Sequence, residues 1–315
     1  MDSFLFSGQG SQFVGMGASL AQAHPTAQRV FQEVDDALSQ HLFRLMTDGS
    51  DSELRQTANA QPAIMAVSVA AYRCYREHIG DSLNVQYHAG HSLGEYAALV
   101  CGDALALGDC ARLLRLRGES MQQAIDDQED NGAMAAILGM SLEDTQHATA
   151  QAAQTTSLCC VVANDNAPGQ VVIAGNEKAV HLACRLAQDN GAKKCVPLAV
   201  SAPFHCPLMQ PAGEKMAQAL ATTTLTSPQP PIVSNVTAVA VSEPATLKDL
   251  LSQQITAMVR WRESMVFLAN RGTTRTIEFG PQPVLTGMLK RITRSITGQH
   301  IGDDATLTHV LKQEA

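Results

Sequence analysis

The strongest chemical signal in the sequence is a serine between two glycines, in the segment Gly90–Gly94, which reads G-H-S-L-G. An apolar run, Val85–Ala89, predicts a strand before it, and the residues after it predict a helix. This context is typical of the turn that presents a nucleophilic serine. The helix start also supplies free backbone N–H groups for a developing oxyanion. We therefore predict that Ser92 is a nucleophile; the alternative is a serine in an ordinary glycine turn.

A nucleophilic serine needs a general base, which is most often a histidine. Of ten histidines, His205 is the best candidate because it ends the segment Ser201–His205, a predicted bend directly after the inserted domain, where two predicted domains meet. Loops at such junctions often carry sites, although a lone histidine is usually structural. His91 is next to Ser92, but the geometry of the turn directs it away. Four histidines in or beside predicted amphipathic helices are expected to be structural or exposed: His41, His78, His147 and His181.

Three arginines lie close together on a predicted leucine-rich helix. Arg112 and Arg115 are three residues apart and share a side, whereas Arg117 projects differently. An inward-facing Arg117 would bind a carboxylate through two parallel hydrogen bonds. A solvated arginine face is the simpler interpretation of the same pattern.

The elements that must position these residues alternate between short strands and helices, which is typical of an α/β protein. In the first part of the chain we predict a strand at Ser3–Ser7 and helices at Thr26–Gln40, Gln61–Ile79, Glu95–Leu105 and Asp109–Ile125. The next part predicts a ferredoxin-like order, β-α-β-β-α-β. Its predicted elements are strands at Ala133–Leu138, Leu158–Ala163, Gln170–Ala174 and Lys194–Leu198, helices at Leu142–Ala153 and Glu177–Gln188, and a turn cluster at Asn164–Gly169.

This change in the order of the predicted strands and helices indicates two domains. A small ferredoxin-like domain, residues 128–199, is inserted into a large catalytic α/β domain formed by residues 1–127 and 200–315. The polar run Asp126–Asn131 and the bend Ser201–Pro203 mark the predicted boundaries.

Composition narrows the function classes. Hydrophobic residues make up 45 % of the 315 residues, enough for a sizeable core, and the net charge of −8 argues against a nucleic-acid binder. The start has no basic segment typical of a secretory signal, and the longest apolar stretch, around Ala63–Tyr72, is about half of the roughly 20 residues that a membrane helix needs. Eight cysteines without a C-x-x-C pair argue against a disulfide framework or a zinc site. We therefore expect a cytoplasmic protein without a membrane segment.

Beyond these signals, the sequence resembles the bacterial stand-alone malonyl-CoA:acyl-carrier-protein transacylases of fatty-acid synthesis. The matching segments follow one another along nearly the whole chain: Gly8–Gln12, Gly90–Tyr96, Arg117–Glu119, Gly132–Ala136, Asn166–Gly175, Phe204–His205, Glu278–Pro281 and Val284–Leu285. The resemblance implies an α/β-hydrolase-like large domain with an inserted ferredoxin-like domain. It also implies transfer of a malonyl group from malonyl-CoA to the phosphopantetheine thiol of acyl carrier protein.

The resemblance assigns a role to each matching site residue. These residues are Ser92, His205, Arg117, Gln9, Leu93 and Gln254. Ser92 would be the nucleophile that carries the malonyl ester, His205 the general base, and Arg117 the partner of the malonyl carboxylate. Gln9 and Leu93 would donate their backbone N–H groups to the oxyanion hole. The backbone carbonyl of Gln254 would hold the histidine. No metal, flavin or nucleotide cofactor is implied, since coenzyme A enters as a thioester substrate. Family members are commonly monomers, and the same is expected here.

Three positions depart from the family pattern. Ser7 replaces a proline, which is expected to loosen the turn that presents Gln9. Phe204 precedes the proposed base, at a position where some members have serine. In related modular acyltransferases, phenylalanine at this position is associated with a preference for malonyl over methylmalonyl groups, so a malonyl preference is expected here. Met258 replaces a proline in the segment that follows Gln254.

Three alternative functions share parts of this pattern. A serine hydrolase or thioesterase would have the same nucleophile but usually an Asp or Glu that orients its histidine. A discrete acyltransferase of a polyketide synthase or malonate decarboxylase would share the chemistry and differ in its carrier. A binding module without catalysis would require the pairing of Ser92 with His205 to be accidental.

The carrier protein of this family is acidic, and the chain itself has a net negative charge. Contact between the two would therefore rely on local basic residues, and the candidates are Lys193, Lys194, Lys290, Arg291 and Arg294.

Overall fold

The computed structural model describes residues 1–80, 84–126, 131–200 and 202–314. Up to the small sheet, the elements in chain order are β1 (Asp2–Phe6), α1 (Ala18–Ala23), α2 (Pro25–Leu38), α3 (Leu42–Asp48), α4 (Asp51–Arg55), α5 (Thr57–Ile79), β2 (Val85–Gly90), α6 (Gly94–Cys101) and α7 (Leu107–Asp126). The small sheet and its helices follow as β3 (Gly132–Leu138), α8 (Leu142–Thr156), β4 (Cys160–Ala167), β5 (Gln170–Asn176), α9 (Glu177–Asp189) and β6 (Lys194–Pro197). The remaining elements are a 3₁₀ turn (Pro207–Met209), α10 (Gln210–Thr222), β7 (Ile232–Val233), β8 (Ala240–Val241), α11 (Pro244–Gln253), α12 (Trp261–Asn270), β9 (Arg275–Phe279), α13 (Val284–Ile292), β10 (Thr297–Ile301) and α14 (Asp304–Glu314).

The larger of the two sheets has six strands in the order β10-β9-β1-β2-β7-β8. Its neighbouring strands run parallel, apart from the antiparallel pair β7–β8. In parallel strands the carboxyl ends share one edge, and Phe6 at the end of β1 pairs with Gly90 at the end of β2. The segments that follow these strands therefore meet at one edge of the sheet. They include the Gly8–Gly10 loop after β1, the turn at Ser92 after β2 and the turn after β7.

Helix α5 is 23 residues long, and most of its residues are buried. It begins at Thr57, so the predicted start at Gln61 was four residues late. Pro62 lies inside the helix instead of near its first residue, and it removes one backbone hydrogen bond without ending the helix. The apolar stretch around Ala63–Tyr72 packs in the core. No helix within the described ranges is long and apolar enough to cross a membrane.

The smaller sheet has four antiparallel strands in the order β4-β5-β3-β6. With helices α8 and α9 this is the ferredoxin-like arrangement, which confirms the predicted fold class together with the α/β organisation of the larger sheet. All of its strands lie between residues 132 and 197, within the predicted range 128–199. The boundary residues 127–130 and Ser201 lie outside the described residues, and the division into domains stays a prediction.

The predicted turn cluster Asn164–Gly169 was wrong. Strand β4 continues to Ala167, which pairs with Gln170, so the turn is only Pro168 and Gly169. The polar side chains that suggested a loop are buried, and they have partners there. Asp165 forms an ion pair with Arg262 at 2.8 Å, and Asn166 is hydrogen-bonded to His91 at 2.9 Å. Polar residues occupy this strand because it faces the larger part of the molecule.

Close packing of α5 against α7 yields a prediction about stability. A Cβ at Gly118 would lie 2.6 Å from the Ala58 Cα, whereas a Cβ at Gly108 on the same helix would be 3.5 Å from its nearest neighbour. Gly118→Ala should therefore lower the free energy of unfolding by about 1–3 kcal/mol, because backbone must move. Gly108→Ala should stay within about 0.5 kcal/mol of the native protein. Chemical denaturation of both variants checks this, and equal stabilities would contradict the packing argument.

Candidate active site

The turn between β2 and α6 holds Ser92 in a strained backbone conformation. Its φ is +53°, in the left-handed region that non-glycine residues rarely adopt. The flanking glycines are required by space: a Cβ at Gly90 would lie 1.9 Å from the Gly94 carbonyl carbon, and one at Gly94 would lie 2.3 Å from the Phe6 oxygen. This is the geometry of a nucleophile elbow, which raises the serine hydroxyl above the carboxyl edge of the sheet.

His205 lies against the Ser92 hydroxyl. Its Nε2 is 2.8 Å from Ser92 Oγ, and its Nδ1 is 2.7 Å from the backbone oxygen of Gln254. Because a carbonyl oxygen only accepts, Nδ1 carries the proton and the lone pair of Nε2 faces the serine hydroxyl. A histidine in this tautomer is placed to take the serine proton.

The surroundings of His205 keep it neutral. The side chain is 4 % exposed, and burial lowers its pKa to about 3, assisted by the positive charge of Arg117 and opposed by the hydrogen bond to Gln254. A neutral imidazole is the form that accepts a proton. The site therefore holds its histidine in the basic form at neutral pH.

Arg117 on α7 points inward and is 2 % exposed. Its Nη2 donates to Ser92 Oγ and to Gln254 Oε1, each at 3.0 Å, and its Nη1 donates to Gln61 Oε1 at 2.7 Å. These acceptors are all uncharged, and burial lowers the pKa of the guanidinium. The arginine pattern on this helix thus places one buried cation next to the hydroxyl, while Arg112 is exposed.

Gln9 and Leu93 both lie at the edge of the larger sheet that holds Ser92. Gln9 belongs to the loop after β1, and Leu93 directly follows Ser92 at the start of α6. Neither N–H has a hydrogen-bond acceptor within the described ranges. The two residues predicted for an oxyanion hole therefore offer free donors at the expected edge of the sheet.

The Gln254 carbonyl reaches His205 despite the departures in its neighbourhood. Met258 packs against the core of the small sheet, and Val259 pairs with β4 through its N–H, 2.9 Å from the Ala163 oxygen. At the other departure, the Ser7 hydroxyl donates to Glu278 at 2.9 Å and so ties the loop of Gln9 to β9.

Two residues missed by the sequence reasoning support the turn. Asn235, after β7, accepts the Ser92 N–H at 2.7 Å, and Glu95 on α6 accepts the Asn235 N–H at 2.9 Å. A polar residue two positions after a buried strand, at the edge that holds the serine, is a signal that could have indicated Asn235. Glu95 lies in the segment Gly90–Tyr96 that matches the family, but the resemblance assigned no role to it.

A cavity of about 350 Å³ opens above Ser92, between the two sheets. Its polar end contains Ser92, His205 and Arg117. Apolar and amide side chains from the small sheet and α13 line part of the remainder, namely Met134, Asn164, Asn166, Val172, Val284, Leu285 and Met288, and Gln9, Gln12 and Arg55 line another part. The cavity therefore has room for a small substrate group beside the guanidinium.

Comparison with known proteins identifies the family. The model of the acyl transferase domain matches residues 3–314. The chain belongs to the acyl transferase family. It is 42 % identical to the malonyl CoA-acyl carrier protein transacylase of Bacillus subtilis (strain 168), over 99 % of this chain and 98 % of that protein.

Solved structures of the acyl transferase family agree with the fold. An acyl carrier protein S-malonyltransferase from Vibrio cholerae matches with a TM-score of 0.93 at 41 % identity, over 98 % of this chain and 99 % of that one. A chain from the complex of a type II PKS acyl-carrier protein with its malonyl-transacylase matches with a TM-score of 0.94 at 39 % identity, over 99 % of both chains. The resemblance noted in the sequence is confirmed, and this acyltransferase has the family architecture.

The low pKa of His205 predicts how acylation depends on pH. Protonation would remove the base, but a pKa near 3 leaves His205 neutral at both pH 7 and pH 5. The second-order rate constant for acylation of Ser92 should therefore change less than about threefold between these values, whereas a histidine of ordinary pKa would lose roughly 25-fold. Glu95 does not interfere, because burial raises its pKa to about 8. Quenched-flow mass spectrometry measures the acylation rate at each pH. A fall in this rate with a midpoint near pH 6.5 would contradict the account.

Proposed function

We propose that this acyltransferase moves a malonyl group from malonyl-CoA to the phosphopantetheine thiol of acyl carrier protein, and so supplies malonyl carrier for fatty-acid synthesis. The observation that carries the proposal is the buried guanidinium of Arg117, 3.0 Å from the Ser92 hydroxyl. A cation at this position favours an acyl group that ends in a carboxylate. The names of the relatives point to the same acyl group.

The first half-reaction forms an ester on Ser92. Its oxygen attacks the thioester carbon of malonyl-CoA, and His205 takes the hydroxyl proton through Nε2. The carbonyl oxygen gains negative charge, which the N–H groups of Gln9 and Leu93 would stabilise. When the carbon–sulfur bond breaks, His205 returns the proton to the coenzyme A sulfur, leaving malonyl-Ser92 and free coenzyme A.

The second half-reaction reverses these steps with a different thiol. His205 takes the proton of the phosphopantetheine thiol, and the sulfur attacks the ester carbon of malonyl-Ser92. The ester bond breaks, the serine oxygen recovers the proton, and malonyl carrier leaves. Every group that this sequence requires belongs to the chain or to the substrates, so the proposal includes no metal, flavin or nucleotide cofactor.

Selection of the acyl group follows from the cost of a buried charge. Arg117 is surrounded by neutral acceptors, and a malonyl carboxylate would give it an opposite charge at short range. An acetyl group would leave the guanidinium without that partner. Phe204, 8 % exposed, lines the cavity next to the base and limits the space for a branched acyl group.

The setting of the enzyme is part of the same proposal. We propose a monomer that works in the cytoplasm, and the monomeric state is supported by the site, because one chain provides the nucleophile, the base and the cation. Acyl carrier protein would approach the rim formed by α13, where Lys290 lies beyond the cavity residues Leu285 and Met288. Arg291 is less free for a partner, since it donates to Gln170 at 2.7 Å and to the Pro168 oxygen.

A second candidate carrier comes from polyketide synthesis. The support is a neighbouring structure in which a type II PKS acyl-carrier protein is bound to its malonyl-transacylase, in a fold that matches with a TM-score of 0.94. The chemistry at Ser92 would be the same. A hydrolase is disfavoured because His205 is held by the carbonyl of Gln254 and not by an Asp or Glu side chain.

Removal of the guanidinium tests the selectivity. Arg117→Ala should slow malonyl loading of Ser92 by at least about 100-fold, because the carboxylate loses its only proposed charged partner. Acetyl loading should be equal to or faster than that of the native enzyme. Loading rates from malonyl-CoA and acetyl-CoA, measured by intact mass, check both statements.

Arg115→Ala is the matched control for this experiment. Arg115 lies on the same helix and donates to Asn59 at 2.7 Å and to Gln40, away from the serine. Its loss should leave the ratio of malonyl to acetyl loading unchanged. Retention of native malonyl loading in Arg117→Ala would show that the guanidinium does not bind the carboxylate.

A further inference from the structure

The left-handed conformation of Ser92 requires support from outside its own turn. Such a backbone is unfavourable and persists only when the surroundings fix it. The flanking glycines make the turn sterically possible, but they hold nothing in place. The groups that bind the turn are therefore candidates for residues that position the nucleophile.

One side chain binds both sides of the turn. Asn235 accepts the Ser92 N–H through Oδ1 at 2.7 Å, and its Nδ2 donates to the Gly90 oxygen, also at 2.7 Å. Asn235 is fully buried and comes from the turn after β7, the strand next to β2. The Asn235 side-chain amide therefore binds the backbone on both sides of the turn, at Gly90 and at Ser92.

Asn235 is itself held from two directions. Its N–H donates to Glu95 Oε1 at 2.9 Å, and its carbonyl oxygen accepts from the Arg260 N–H at 2.9 Å. Glu95 is 3 % exposed and lies in the first turn of α6, three residues after Ser92. The position of the amide is therefore fixed relative to the helix that begins at the nucleophile.

Glu95 also reaches the base side of the site. Its Oε2 accepts from the Gln254 side-chain amide, which also donates to the Ser92 carbonyl oxygen at 3.1 Å. The backbone carbonyl of that same glutamine holds His205, and its side-chain oxygen accepts from Arg117. One carboxyl group thus connects the support of the nucleophile with the support of the base and the cation.

We propose that Asn235 and Glu95 are positioning residues that hold the Ser92 hydroxyl and His205 in their reactive geometry. This inference rests on the proposed function only for its acyl donor, since the geometry concerns any electrophile that Ser92 attacks. Neither side chain is among those that line the cavity, so their loss should affect the rate of acylation more than the binding of malonyl-CoA.

The test measures two reactions of Ser92 in full-length variants. Asn235→Ala should slow malonyl loading about 100-fold, with KM for malonyl-CoA within about threefold of native, because a small misplacement of the nucleophile is costly. Phenylmethanesulfonyl fluoride provides a second electrophile. In that reaction the serine oxygen bonds to sulfur, fluoride leaves and His205 takes the proton. Sulfonylation should slow by a similar factor.

Glu95→Gln keeps the size of the side chain and serves if Asn235→Ala does not fold. Its amide has one acceptor oxygen, so it satisfies only one of the two N–H donors from Asn235 and Gln254. We expect a loss of roughly 10-fold in both reactions. Assays at about pH 9 keep the native carboxyl ionised, because burial raises its pKa to about 8.

Asn176→Ala is the matched control. Asn176 also binds a backbone N–H through its side chain, that of Cys159 at 2.9 Å, but in the small sheet. It should lower thermal stability without changing either rate. Native rates in Asn235→Ala and Glu95→Gln, or losses that only follow stability as in the control, would overturn the inference. If the native enzyme is sulfonylated but not malonylated, the proposed function fails, and the sulfonylation series still decides the positioning role.

Discussion

The buried guanidinium of Arg117 is the constraint around which the site is organised. A cation that is 2 % exposed and faces only neutral acceptors is costly unless those acceptors are held in place. Its partners Gln61, Ser92 and Gln254 come from three distant parts of the chain and must all be positioned at once. The same charge assists burial in lowering the pKa of His205, and in the proposed function it also selects the acyl group.

The parallel sheet makes this arrangement possible. Strands β1, β2 and β7 end at one edge, which brings together the Gly8–Gly10 loop, the turn of Ser92 and Asn235. The base arrives from another direction, on the segment that follows the small sheet, and it is fixed by the Gln254 carbonyl. A histidine oriented by a carbonyl needs no Asp or Glu against its ring, where a charged oxygen would repel the carboxylate that we propose binds Arg117.

Much of the fold and the main site residues were predictable from the sequence, for physical reasons. Ser92 could be predicted from its neighbours in the sequence, because glycines on both sides of a serine between a strand and a helix are typical of a nucleophile elbow. Arg117 and His205 were only suggested by periodicity and position, and the family resemblance made them specific. The error at Asn164–Gly169 arose because buried polar residues look like a loop until their partners are known. Asn235 and Glu95 were missed because their roles depend on contacts between residues far apart in the chain, such as Gln254 and Glu95.

The central claim is a malonyl ester on Ser92 that passes to a carrier thiol. We would incubate the native enzyme and Ser92→Ala with malonyl-CoA, record intact masses, and then add phosphopantetheinylated acyl carrier protein. The account predicts a malonyl adduct on the native enzyme alone, stable in water and discharged by the carrier with formation of malonyl carrier. An adduct that persists in Ser92→Ala would contradict the assigned nucleophile. Free coenzyme A that accumulates without an adduct, before carrier is added, would show a hydrolase instead.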